Sequence, residues 1–120
     1  MANPNIVGVT AIYGKTVGQA VATSATAIVT NASGSGKIIK INSLIISNTV
    51  GTSSATISAE IYKNQSTSYR IAYLVVVPGY ATLVLVSKDT AIYLEENDSI
   101  RLTAATVSTL EAICSYEEIS

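Results

Sequence analysis

The chain has 120 residues, a net charge of −1 from seven basic and eight acidic side chains, and no His, Trp or Phe. That length suits one domain around a single core. The scattered, balanced charge gives no field to hold a polyphosphate or an anionic bilayer, so nucleic acid and membrane surfaces are not expected partners.

The start, Met1 to Asn5, lacks the basic and then continuously apolar pattern of a secretory signal, and no stretch nears the roughly 18 to 20 apolar residues of a membrane span. The reading is a soluble protein made in a cytoplasm. Residues 1–24 are rich in Ala, Gly, Thr and Val without a clean period, and form either an extended arm or a first strand. As an arm, Ile6, Val9 and Ile12 would seek a groove on a neighbouring subunit, since exposed apolar surface costs roughly 25 cal/mol per Å².

From residue 25 the period changes. Ala25 to Thr30 and Lys37 to Ser47 read as strands separated by the Asn31-Ala32-Ser33-Gly34-Ser35-Gly36 loop. Ile57, Ala59 and Ile61 alternate with Ser58, Glu60 and Tyr62, the two-residue period of a strand with one buried face. After the Asn64–Thr67 loop, Tyr69, Ile71, Tyr73, Val75 and Val77 are expected on one face, with Arg70 on the other. Pro78-Gly79 turns the chain into Leu83–Val86. Ala91–Leu94, Ile100–Ala104 and Leu110–Tyr116 complete the set, joined by Glu95–Asp98 and by Thr106–Thr109. In the last strand, Leu110, Ala112, Cys114 and Tyr116 share the packed face. About eight short strands exceed what a lone sheet tolerates, so the fold class is all-β: an antiparallel, jelly-roll-like β-sandwich over residues 25–120.

Chemical signatures are sparse. Gly34-Ser35-Gly36-Lys37 departs from a phosphate loop, because Ile38 follows the lysine and Asn31 stands five residues before Gly36. No histidine is present to activate a serine. Glu95, Glu96 and Asp98 crowd one turn but lack the spacing and glycine of a Ca²⁺ loop, and read as a solvated hairpin. Cys114, in an apolar run, reads as a small buried hydrophobe and allows no disulfide within the chain. No catalytic, cofactor or metal residue is assigned, and no enzyme activity is expected.

Tyrosine is the sole aromatic, and its apolar ring with a water-tolerant hydroxyl suits interfaces. Tyr13, Tyr62 and Tyr80 are contact candidates, while Tyr69, Tyr73 and Tyr116 read as core or rim residues. The three Asn-x-Ser triplets, at Asn31, Asn64 and Asn97, fall in turns. Lys15, Lys63, Arg70 and Arg101 are either solvated single charges or partners for an acidic surface.

The stretch Ala91-Ile-Tyr-Leu-Glu-Glu-Asn-Asp-Ser-Ile-Arg-Leu-Thr-Ala104, with Leu110-Glu-Ala-Ile-Cys-Ser-Tyr-Glu-Glu-Ile119, resembles the ending of small tailed-phage virion proteins. Met1-Ala-Asn-Pro-Asn and Lys37 to Asn48 are similar to the same group. The resemblance implies a non-enzymatic jelly-roll subunit on a virion, assembled in the host cytoplasm, often a trimer. It implies a capsid decoration or cement protein contacting the major capsid protein or other virion proteins. A neck, collar or tail-fibre component is the alternative within that class, and a soluble ligand- or carbohydrate-binding sandwich is the alternative outside it.

Overall fold

The computed structural model describes residues 6–106 and 109–120. After a 3₁₀ turn at Ile6–Gly8, nine strands succeed one another: β1 (Ile12–Ala20), β2 (Thr26–Thr30), β3 (Ile38–Asn48), β4 (Ala55–Lys63), β5 (Thr67–Val77), β6 (Thr82–Val86), β7 (Ile92–Leu94), β8 (Ser99–Ala104) and β9 (Leu110–Ile119). They build two antiparallel sheets, a β-sandwich. One sheet runs β1-β9-β3-β6, with β7 also on β3, and the other runs β2-β8-β4-β5. The chain crosses between sheets at nearly every connection, which is jelly-roll order, and the β4–β5 hairpin is confined to one sheet.

Valine, isoleucine and threonine dominate these strands because branched side chains lose little freedom on a pleat and pack against cross-strand neighbours. Ile39, Ile41, Leu44, Ile46, Leu94, Leu110, Ala112 and Cys114 face inward from the first sheet, and Ile57, Ala59, Val77, Ile100 and Leu102 from the second. Ile41, Leu44, Ile46 and Ile57 are fully buried, each contributing about 1.5–3 kcal/mol of transfer free energy. The face expected for β9 is the face observed.

Residues Ile12–Ala20 pair with β9 along their whole length, from Ile12 opposite Ile119 to Ala20 opposite Glu111. In this edge strand Val17 packs against the core. β6 and β7 both lie along β3, at Leu44–Ser47 and Ile39–Ile41 respectively. Between them β3 bulges at Asn42, whose Oδ1 is buried without a hydrogen-bond partner among the described residues.

The alternation expected for β5 does not hold. Its register against β4 steps from Ile57 opposite Val75, to Ala59 opposite Ala72, to Glu60 opposite Arg70, so β5 carries two extra residues. Each bulge flips the parity of the residues beyond it. Val75 and Val77 pack inward and Tyr73, between the two bulges, turns outward at 60 % exposed; the second bulge restores the parity, and Tyr69, opposite Ile61 near the start of β5, is 59 % exposed. Leu74 adopts φ 52°, and its freed N–H donates to Ser58 Oγ at 3.0 Å. A period-two reading cannot foresee a bulge whose supporting hydroxyl lies on the neighbouring strand.

Candidate assembly surface

The molecule measures 50 × 26 × 20 Å, and the loops at its two ends differ in chemistry. One end gathers the β2–β3, β4–β5 and β7–β8 connections. Asp98, 2 % exposed, accepts from Lys63 Nζ at 2.6 Å, Asn64 N at 2.8 Å and Glu95 N at 3.1 Å. Glu96 spans to the β2–β3 loop, accepting from Gly34 N and Gly36 N at 2.9 and 3.1 Å. Both glycines have positive φ, which aims their N–H groups at the carboxylate. Buried Asn31 donates to the carbonyls of Lys37 and Leu94, closing β2 against β3 and β7. The acidic turn foreseen as a solvated hairpin is instead a clamp between three loops. Lys63, held by Asp98 and then by Glu95, has its pKa raised above the usual lysine value.

The opposite end gathers residues 21–25, 49–54, 78–81, 105–106 and 109, where no position carries a charge. Val107 and Ser108, part of the expected Thr106–Thr109 turn, lie outside the described residues, as do Met1 to Asn5. Asn48, 3 % exposed, donates to the carbonyls of Ser53 and Val77 and accepts from Val50 N. Tyr80 projects from this end, 80 % exposed and left-handed at φ 58°. Its ring lies so close over Gly51 that a Cβ there would fall 2.1 Å from Cε2. Gly79 is needed for another reason: its Cβ would stand 2.7 Å from the Gly51 carbonyl oxygen.

The cations proposed for an acidic surface all have partners within the chain. Lys15 and Lys37 both bind Glu118 Oε1, at 3.1 and 3.2 Å. Arg101 binds Glu60 and stacks over Tyr62, 3.7 Å from the ring centroid, while Arg70 lies 4.4 Å over Tyr73. Burial pushes the Glu60 carboxyl up, but the Arg101 guanidinium and the Ser68 hydroxyl outweigh it and leave the pKa below the usual carboxylate range. Glu118 behaves alike, its burial outweighed by Lys15 and Lys37. Lys15, Lys63 and Arg101 are thus paired with carboxylates of the same chain rather than isolated, and Arg70 lies over a ring.

Of the proposed contact residues, Ile6, Ile12, Tyr13 and Tyr80 are exposed and Val9 is half-buried. Tyr62 is half-buried, with one ring face covered by Arg101. They do not converge: Ile6 to Tyr13 lie along the start of β1, Tyr62 on the second sheet and Tyr80 at the uncharged end. Sequence reasoning missed an apolar row on the outer face of the first sheet, where Ile113 pairs with Ile45 and Ile45 with Val84. Ile113 and Val84 are 48 % and 56 % exposed. Ile113 fell on the side of β9 read as wet, and no face was assigned to the Leu83–Val86 strand.

Among the described residues no group of three or more His, Cys, Asp or Glu side chains is placed to hold a metal ion. Cys114 is fully buried, and burial pushes its thiol up to about 12. No helix among the described residues is long and apolar enough to cross a membrane.

No family model matches the chain, and no curated protein does. Among solved structures it is similar to a protein of Bacillus endospore appendages, which form a novel family of disulfide-linked pili. The TM-score is 0.53 at 14 % identity, over 92 % of this chain and 87 % of that one. The likeness establishes a shared β-rich fold.

Proposed function

We propose that this chain is a non-enzymatic structural subunit that works in many copies, and that its place is on a virion as a capsid decoration or cement protein. The observation that carries the first part is apolar exposure: Tyr69, Tyr73, Leu74, Val76, Tyr80 and Val84 each present more than half of their surface to solvent. Exposed apolar surface on this scale marks contact with another macromolecule. Summed over many copies, modest contacts hold a shell by avidity. The virion placement is supported by the likeness of Ala91–Ala104 and Leu110–Ile119 to tailed-phage virion proteins.

A second reading comes from the pilus-forming neighbour: a subunit of an extended appendage. Buried Cys114 argues that such a filament would not be joined through disulfides of this cysteine. Copy number separates the readings. In purified particles a ratio to the major capsid protein between one third and one, as the resemblance implies, supports a cement. A few per cent moves the protein to neck, collar or tail, and absence discards the virion placement. Sedimentation of the isolated chain tests self-association itself. A monomer with Kd weaker than about 1 mM, less than roughly 4 kcal/mol of association, that also shows no affinity for purified particles would overturn the multi-copy reading.

A further inference from the structure

We propose that β1 is a releasable strand, and that the edge of β9 it leaves takes up β1 of a second copy, a contact that rests on the self-association reading above. Burial sets β1 apart. Val17 and Gln19 are half-buried and its other seven residues exposed, whereas every other described strand has at least one buried residue. Its hold is therefore the ladder itself, which runs without a bulge from Ile12 opposite Ile119 to Ala20 opposite Glu111 and continues through Thr10 N and Ala11 N to Ser120 O. Side chains add little. Lys15 meets Glu118 while 49 % exposed, Thr16 meets the Ser115 hydroxyl at 3.0 Å, and Gln19 Nε2 reaches Ala27 O on β2 at 3.3 Å. Ion pairs this open to water contribute least to stability.

Release leaves the rest of the sandwich paired. β9 keeps β3 on its other side, from Ile38 opposite Ile119 to Asn48 opposite Leu110. The core between the sheets gives up the half-buried Val17 and, just beyond the strand, Val21. Stability distributed so unevenly lets one element open ahead of the whole fold. What it bares is a row of backbone N–H and C=O groups along β9, and such an edge draws in another strand.

Sequence makes the occupant β1 of another copy. The vacated place is specified side chain by side chain: a position opposite Cys114 that Val17 packs from, the Ser115 hydroxyl opposite Thr16, and Glu118 within reach of Lys15. An exchanged β1 in the same register repeats each of these contacts between copies, so no new complementarity is required. The other free edges are poor guests, because β5 carries two bulges and a left-handed Leu74, and β6 has five residues. The link to β2 permits the exchange. Ala22 to Ala25 are all exposed and serve as the hinge, while Val21, 2 % exposed, travels with the strand and is buried again in the acceptor. Two copies trading strands close a dimer, and three passing them round close a trimer.

Hydrogen exchange on the wild-type monomer is the first arm of the test and needs no variant: β1 amides are expected to exchange at least about 100-fold faster than those of β3. Amides of β1 that exchange only with the whole fold overturn the proposal. The second arm is Thr16→Cys combined with Ser115→Cys. The native hydroxyls lie 3.0 Å apart on partner residues, close enough for the introduced thiols to reach the roughly 3.8 Å Cβ separation of a disulfide. Cys114 is kept, being fully buried with its thiol pushed up to about 12. The reduced variant is concentrated, its monomer and oligomer are separated by gel filtration, and each is oxidised, alkylated and run on a denaturing gel without reductant. The monomer should close its bond within the chain, and the oligomer should yield covalent dimers or larger species. Oligomers bonded only within chains show the exchange to be wrong and leave the multi-copy reading standing. If wild type and reduced variant both stay monomeric, the exchange is overturned, and the multi-copy reading falls with it only where purified particles are not bound either.

Discussion

The two ends of the sandwich solve the same problem with different means. Each must close strands that belong to different sheets, and each uses one buried asparagine to bridge two strand ends, Asn31 at one and Asn48 at the other. Beyond that they diverge. The Asp98 end adds carboxylates that each collect several donors across loops, whereas the Tyr80 end relies on hydroxyls, glycine contacts and backbone. Charge-assisted hydrogen bonds are roughly twice as strong as neutral ones, so the first end is built to hold its own loops. The second is held by neutral bonds and leaves Tyr80 80 % exposed.

The most disruptive way to test that contrast is Asp98→Ala. It leaves the N–H groups of Asn64 and Glu95 without their acceptor, and urea unfolding should report a loss of about 2–4 kcal/mol. An equally large loss from an uncharged-end residue such as Thr49→Ala, whose hydroxyl donates to Thr109 O at 3.3 Å, would erase the distinction. Next is Gly79→Ala, where the new methyl meets backbone instead of a movable side chain. A loss of about 1–3 kcal/mol is expected, against a smaller one for Gly51→Ala, where the exposed Tyr80 ring can swing aside.

Acid titration of stability sharpens the comparison further. Glu60 and Glu118 have folded pKa values below their unfolded ones, so their contribution is present above about pH 4.5 and fades as pH falls through the folded values. Lys63, raised, contributes below about pH 10.5 and fades as pH climbs through its folded value. Glu60→Gln should lower stability at neutral pH and flatten the acid limb of thermal midpoint against pH. An unchanged acid limb would show that Glu60 is not held by Arg101 in solution. The smallest effect is a gain: Tyr80→Gly relieves the left-handed turn position and should raise stability by about 0.5–1 kcal/mol, read as a shift in the urea midpoint.

Much of the sandwich was legible because period-two alternation is a direct image of a half-buried strand. β4 and β9 show it plainly: Ile57, Ala59 and Ile61 in one, Leu110, Ala112 and Cys114 in the other. β5 broke the rule because it carries two bulges, one of them supported by Ser58 on the neighbouring strand. The acidic turn was visible as a cluster, but its role was not, since Glu96 meets Gly34, which lies far away in sequence.

The pairing of β1 with β9 sets the direction in which this fold can be loaded. Thr10 N reaches Ser120 O at 2.7 Å, so the start of β1 and the end of β9 lie side by side. Tension applied between those ends would peel β1 from β9 one ladder bond at a time, the weakest way to strain a sheet. A scaffold made of such subunits is suited to carrying force across its faces and loop tips, side to side, and poorly suited to being strung end to end like links in a chain.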